Sequence, residues 1–427
     1  MMHRDVVVSD VFSPKFRLFY SNQLHHFLRR ISWFAAAPIV VAAVSFLSLP
    51  MLTRYLSASH YGLFALGMSI GSLIPAIANP GALSFLSPRL FRSTSVPGVL
   101  LGTLLACSVI AACLGVLAVS SVAFWVQNQL NLSPRALFLS VGAGAIASPW
   151  SIVADYLVAT GQARAYALTY IASAFATPIA ALGWILSSGE LQLALFIGGF
   201  AAAMVQAIAA LLILRRIDRI RVNRKLFPVI ARLWRPTLTS AMTEWSYSLI
   251  ERWLVSSLLG LAAAGALFHS QQYKALANSG VKVLIRSTWS ISIAEAKACP
   301  RTFNRSRIVW RMVDVGLITA AIAFLIVGRP FIDWLTNGKL GDAAPLVGAW
   351  MVVLLLYNLA RPAVFVLHAF ARSHKVGKIS TIASIVTMAS LFPCVYALGV
   401  WGPVVATIMG GVTNVTLLTL TDRAGRT

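Results

Sequence analysis

The chain has 427 residues, 58% of them hydrophobic and only 11% charged, with a mean hydropathy of +0.80; a soluble domain carries roughly a quarter charged residues, so a water-soluble globular fold is excluded. A formal charge of +23 would suit nucleic acid, but the basic residues are spread through short loops between apolar stretches rather than gathered on one face, so no nucleic-acid partner is expected. Cys107 and Cys113 share one apolar segment, Cys394 lies in another and Cys299 in a basic loop, so no disulfide framework is expected either.

Residues 1–30 lack a continuous apolar run followed by a small-residue cleavage site, so no secretory signal is expected. Aromatic and aliphatic residues mix there with Lys15, Arg17, Arg29 and Arg30, which predicts an interfacial segment on the cytoplasmic surface. A spanning helix needs about twenty mostly apolar residues. Twelve segments meet that length, at 31–53, 61–83, 99–124, 136–159, 165–187 and 191–214, then 236–259, 262–285, 308–328, 346–370, 376–397 and 400–420. The expected fold class is all-α, a polytopic membrane protein of 12 transmembrane helices in two six-helix bundles, 31–214 and 236–420, with a short tail at 421–427.

Residues 215–235 form the polar interval between the halves and hold eight basic residues against one acid, Asp218. Placing this loop in the cytoplasm puts both termini there by alternation. It also leaves 25 Lys and Arg on the cytoplasmic side against four outside, Arg54, Arg135, Arg329 and Lys339. That bias is the one the positive-inside rule demands.

The halves read as repeats. An offset of 203 residues sets 55–66 against 258–269 and matches Leu56 with Leu259 and Gly62 with Gly265. Six helices per half make this a parallel repeat, the kind used by transporters that rock two bundles about a central site. Pro38, Pro50, Pro75, Pro80, Pro149, Pro178 and Pro362 fall inside expected spans, where each removes a backbone donor and can kink its helix. Seven Trp and Tyr residues, among them Tyr61, Trp150, Tyr156, Trp334 and Trp350, lie mostly near expected span ends, as aromatic belts do.

A charge in hydrocarbon is costly unless paired or wetted, so charges inside spans are the default functional candidates. The seventh span holds Glu244, Glu251 and Arg252; the eighth holds His269, Lys274 and Lys282, with Arg286 at its end; the tenth holds Arg361 beside Pro362. Glu244 lies about 12 Å in from the cytoplasmic end at 1.5 Å per residue, and Lys274 on the returning helix lies at a similar depth, so the two can pair. One reading is an ion pair that fixes helix register. The other is a cationic cavity in which Lys274, Lys282, Arg252, Arg361 and Arg286 hold a diphosphate, since Arg offers phosphate a bidentate fork and Lys a point charge.

Glu244, Glu251 and Asp155 are candidates for ion coupling or charge balance. Arg311 and Asp314 read as a local pair at helical spacing, and Arg54 with His60 as an exposed turn. The histidines show no metal-ligand spacing and no phosphate-binding glycine loop is present, so neither a metal, a cofactor nor an enzymatic activity is expected.

The run LTRYLSASHYGLFAL at 52–66 resembles the polysaccharide flippase (Wzx-type) family of the multidrug, oligosaccharidyl-lipid and polysaccharide exporter superfamily. So do AAAGALFHSQQYKAL at 262–276, FIDWLTNGKLGDAAPLV at 331–347 and VFVLHAFARSHKVGKIS at 364–380. The chain departs from the family's usual pattern at Asn337-Gly338-Lys339, where Gly-Glu and an aromatic are more common.

The resemblance implies a bacterial inner-membrane protein that moves a polyprenyl-diphosphate-linked oligosaccharide across the bilayer for surface polysaccharide biosynthesis. Its partners would be that lipid-linked oligosaccharide, the surrounding membrane lipids and polysaccharide polymerase machinery. Two rivals stand beside it: a cation-coupled drug or metabolite antiporter of the same architecture, which would favour an acidic cavity, and a membrane glycan polymerase or ligase. The latter needs a large outer loop, whereas the longest one expected here is only 329–345.

Overall fold

A computed structural model describes residues 14–79, 97–130, 132–217, 220–298, 304–369 and 373–424. Pro80, Arg89, Arg92, Asp218 and Cys299 lie outside them. In hydrocarbon every backbone N–H and C=O must be bonded within the chain, and a helix does this inside one segment. Accordingly, no strand occurs among the described residues.

The first half comprises α1 (Pro14–Tyr55), α2 (Ala58–Gly71), α3 (Leu73–Ala78), α4 (Pro97–Leu130), α5 (Pro134–Thr160), α6 (Ala163–Ser188) and α7 (Leu191–Leu214). The second comprises α8 (Phe227–Leu259), α9 (Leu261–Ala298), α10 (Asn304–Ile326), α11 (Gly328–Thr336), α12 (Ala343–Leu359), α13 (Arg361–Ala369), α14 (Ser373–Leu398) and α15 (Gly402–Ala424). Among the described residues eight segments are long and apolar enough to cross a membrane, or nine if a pair bent by 71° is one span. The protein is a multi-pass membrane protein. Helices α8 and α9, which carry Glu244, Glu251, Arg252 and Lys274, are not among the eight.

Two expected loops are partly helical. The bent pair is α10 with α11, and α11 occupies the segment read as an outer loop. Ile332 and Leu335, three apart, are buried on one side of α11 while Trp334 is exposed on the other. Asn337, at φ +53°, ends it in the left-handed region that Asn tolerates. The polar interval between the halves likewise gives way to α8 at Phe227, and its preceding strand of chain is fastened to α4 by the Asn223 N–H, which donates to Thr103 Oγ1 at 2.9 Å.

The halves meet most closely where α2 crosses α9. A Cβ on Gly62 would lie 2.0 Å from the Leu261 carbonyl oxygen, and a Cβ on Gly265 would lie 2.0 Å from that of Ala58. The contact is symmetrical at the offset of 203 residues, which also relates Ala58 to Leu261, so a local two-fold axis passes between the two glycines. Without a hydrophobic force between helices in lipid, small residues that let backbones touch are what bring helices together.

Lys339 secures the same end of the bundle by donating from Nζ to the carbonyls of Arg54 (3.2 Å) and Leu56 (3.3 Å) at the C-terminus of α1. A cation is favoured there by the helix dipole. Asn337 Nδ2 adds bonds to the Pro50 carbonyl and Thr53 Oγ1. An apolar cluster crosses between the halves beneath these contacts, with Leu52, Leu56 and Tyr61 packed against Tyr273, Ile332 and Val347.

Tyr61, Trp150, Tyr156 and Trp350 are buried at 7% exposure or less, inside the protein rather than in a lipid-facing belt; Trp334, 73% exposed, suits the belt. The first three sit on α2 and α5, whose closely packed neighbours leave no lipid-facing room for them.

Candidate functional site

Helices α8 and α9 are joined by Gly260 alone, at φ +89°, a conformation open to glycine and rarely to other residues. The turn folds α9 back along α8, so that Glu251 and Arg252 on one helix face Gln271 on the other. Glu251 is 2% exposed, and its two oxygens take different donors: Gln271 Nε2 to Oε2 at 2.9 Å and the Tyr247 hydroxyl to Oε1 at 3.4 Å. Tyr247 and Glu251 are four apart on one face, and Tyr247 also meets Thr407 Oγ1 of α15 at 2.7 Å. These contacts satisfy a buried carboxylate without a cation within 4.0 Å among the described residues.

Arg252 points the other way, into the first half. Its Nη1 donates to the Ala65 carbonyl (3.1 Å) and to Ser69 Oγ on α2, and its Nη2 to Gln271 Oε1 (3.3 Å). The guanidinium also stands 5.1 Å from the Phe268 ring centre. Trp245, seven residues earlier on the same face of α8, donates to the Ser69 carbonyl at 2.6 Å. Gln271 thus bridges acid and base, accepting from Arg252 and donating to Glu251.

Lys274 lies one turn below Gln271, half-buried, with its ammonium 3.8 Å from the centre of the Trp350 ring. Trp350 is fully buried on α12 and held by its Nε1–H to Ser270 Oγ at 3.0 Å. A cation over an indole face is attracted by the ring quadrupole and still has its N–H donors available. Arg361, at the start of α13 after the break at Ala360, is half-buried, and its Nε is buried without a hydrogen-bond partner.

Several expectations from spacing are corrected. Glu244 is exposed and makes no pair with Lys274 within 4.0 Å. Equal depth on two helices does not fix which face each side chain takes, and Glu244 lies on the open side of α8. Asp314 accepts from Asn358 Nδ2 at 2.6 Å instead of pairing with Arg311, which is exposed.

Asp155 lies away from Glu251 and Arg252, half-buried, and accepts from Asn79 Nδ2 at 3.1 Å beyond the end of α3. Lys282 and Arg286 lie on α9, with side chains outside those described. Gln271, Tyr247, Ser69 and Thr407 carry no charge and so escape a search for charged residues, and Trp350 is part of the core rather than of a belt. The signal available was spacing: Gln271, Lys274 and Ser270 all fall on one side of α9.

No family model matches the chain, and no curated protein matches it in sequence. Solved structures do match in fold. The lipid II flippase MurJ, in an inward closed conformation, superposes with a TM-score of 0.65 at 14% identity over 91% of this chain and 87% of its own. An inward-facing multidrug resistance MATE family transporter of the MOP superfamily gives 0.62 at 10% identity, over 92% and 94%. The eukaryotic MATE transporter AtDTX14 gives 0.59 at 10%, over 93% and 95%. The chain therefore has the fold shared by MATE transporters and MurJ.

Proposed function

We propose that the protein flips a polyprenyl-diphosphate-linked oligosaccharide across a bacterial inner membrane, with twelve spans in two rocking bundles and both termini in the cytoplasm. The observation that carries this reading is the charge balance at the junction of the halves. Arg252 and Lys274 are half-buried beside one fully buried carboxylate, Glu251, whose oxygens are already taken by Gln271 and Tyr247, and Arg361 is half-buried at the start of α13. An excess of cations with donors to spare recognises an anion, and Arg and Lys together suit a diphosphate. The fold shared with a lipid II flippase supports a lipid-linked substrate.

Lys274 is the residue most available to such a ligand, since its ammonium rests on a ring and not on a carboxylate. Arg252 ties α8 to α2 in this conformation, so it would reach substrate only after that tie loosens. Lys282 and Arg286 extend the same helix toward the basic end. Glu251 balances the cations or carries the coupling ion, a role also open to Glu244 and Asp155.

The test is the leaflet distribution of lipid-linked oligosaccharide in cells, read by accessibility to an impermeant glycan-modifying reagent. Cells lacking the protein should accumulate finished repeat units on the cytoplasmic side, rescued by the intact chain and not by Lys274→Ala, although that variant inserts normally. Undisturbed distribution in the deletion strain would refute the flippase reading. Drug efflux lost in those cells would favour the antiporter.

A further inference from the structure

A second polar group sits between the halves on another face of α9, about 140° around the helix from Lys274 at 100° per residue. His269 is 2% exposed, and neither ring nitrogen has a hydrogen-bond partner. Its ring stands edge-on to Tyr273 at 5.0 Å and lies 6.4 Å from Tyr61 of α2. The hydroxyls of both tyrosines are also buried and unpartnered. Phe46 of α1 and Phe324 of α10 close over Tyr273. Four orphaned polar atoms therefore lie in an aromatic pocket one turn beyond the glycine crossing, where the halves touch.

The titratable groups around this pocket are few. Helix α2 supplies Tyr61 and, at its first turn, His60, whose Nδ1 is engaged by Ser57. Helix α1 has only Arg54 and Tyr55 near this end, both exposed; α10 carries no charged side chain beyond Asp314; α12 has Tyr357. Helix α11 has Arg329 and Asp333, 3.8 Å apart, and Lys339 after it is bound to the carbonyls of α1. On α9 itself are Tyr273 and Lys274. No carboxylate among the described residues lies within 4.0 Å of His269.

We propose that His269 is a proton-operated latch on the outer seam: protonation of its ring opens the contact between α2 and α9. A neutral imidazole buried without partners is costly, and an imidazolium there, with no counter-charge, far more so. Parting the helices hydrates the ring and removes that cost. The open seam therefore binds a proton better than the closed one, and linkage makes opening proton-dependent. The ring lies eight residues into α9, about 12 Å along the helix, so a shallow opening from the outer face reaches it. This rests on the alternating-access reading and adds what operates its outer step.

The test uses spin labels at Ser188→Cys and Leu398→Cys, exposed ends of α6 and α14 in opposite halves, in a chain whose four native cysteines are replaced by serine. Distance distributions are recorded in liposomes between pH 8 and pH 5. The longer-distance population should grow as pH falls, by up to about tenfold per unit for one titrating site. His269→Gln and His269→Phe should keep the pH 8 distance and lose the growth. A wild-type distribution that ignores pH, or equal growth in either variant, overturns the latch. Leaflet transfer on the same liposomes is read separately: an intact titration without transfer would sink the flippase reading and support the latch.

Discussion

At the offset that pairs Gly62 with Gly265, Lys274 matches Gly71, and the two positions are built in opposite ways. A Cβ on Gly71 would lie 2.2 Å from the Ser140 carbonyl oxygen, and one on Gly144 would lie 2.2 Å from that of Gly71, so α2 and α5 touch backbone to backbone. Around Lys274 the corresponding space holds an ammonium on an indole. Glu251 and Arg252 match Ser48 and Leu49 in the same register. The repeat keeps its symmetry at the axis, where both halves must fit each other, and abandons it deeper, where one half is closely packed support and the other carries charge. A duplicated fold needs only one copy of a site at its junction, and the second copy is then free to become packing.

The largest expected effect breaks the symmetrical part. Gly62→Val drives a side chain into the Leu261 carbonyl, with backbone on both sides and nothing flexible to move. It should cost about 3 kcal/mol or more, at the upper end of overpacking effects, seen as a lowered unfolding midpoint of the purified protein. Gly280→Val meets nothing within 4 Å and is the control, expected within about 0.5 kcal/mol. Equal effects would mean that the axis is not where the halves are held.

A smaller effect sharpens the asymmetric part. Trp350→Phe keeps a ring under Lys274 but gives up the bond to Ser270 and some of the cation attraction. A loss of about 1 kcal/mol is expected from these two terms, and the space left by the smaller ring at a fully buried position adds about 1 kcal/mol more. Ser270 still donates to the Leu267 carbonyl, so no buried hydroxyl is stranded. A loss of several kcal/mol would show that Trp350 acts mainly as core and would weaken the case for Lys274 as a ligand group.

Much of this was readable from residue order alone. Apolar length marked the helices because the bilayer fixes how long a span must be, and the weak match of Gly62 with Gly265 located the crossing of α2 and α9. Glu251 and Arg252 on α8 and Lys274 on α9 single out two helices that the structure joins through Gln271. Partner choice was not readable: Glu244 and Lys274 have matching depths, yet which face each takes is set by the Gly260 turn and by Tyr247 and Thr407 meeting across α8 and α15. Neutral side chains such as Gln271 carry no signal in a charge search, although one sits between the acid and the base. Helix α11 was hidden for another reason, since nine residues are too few to register as a span and its amphipathic pattern lies among loop-like residues.

The smallest effects belong to the rim, where each half has its own ion pairs. Arg135 and Glu190 are 3.5 Å apart in the first half; Arg329 in the second lies 3.8 Å from Asp333 and 4.0 Å from Asp342. The arginine side chains are 75% and 73% exposed, so water screens both pairs and ordering two long side chains offsets most of the attraction. Arg135→Ala and Arg329→Ala should each shift stability by less than about 0.5 kcal/mol, measured against salt to expose any screened remainder. Arg329 has two acids and sits at the bend between α10 and α11, which makes it the sharper test. If its loss cost more than about 1 kcal/mol while that of Arg135 cost nothing, the asymmetry would extend to the rim. The bend would then belong to the working half and would not be a loop that happens to be helical.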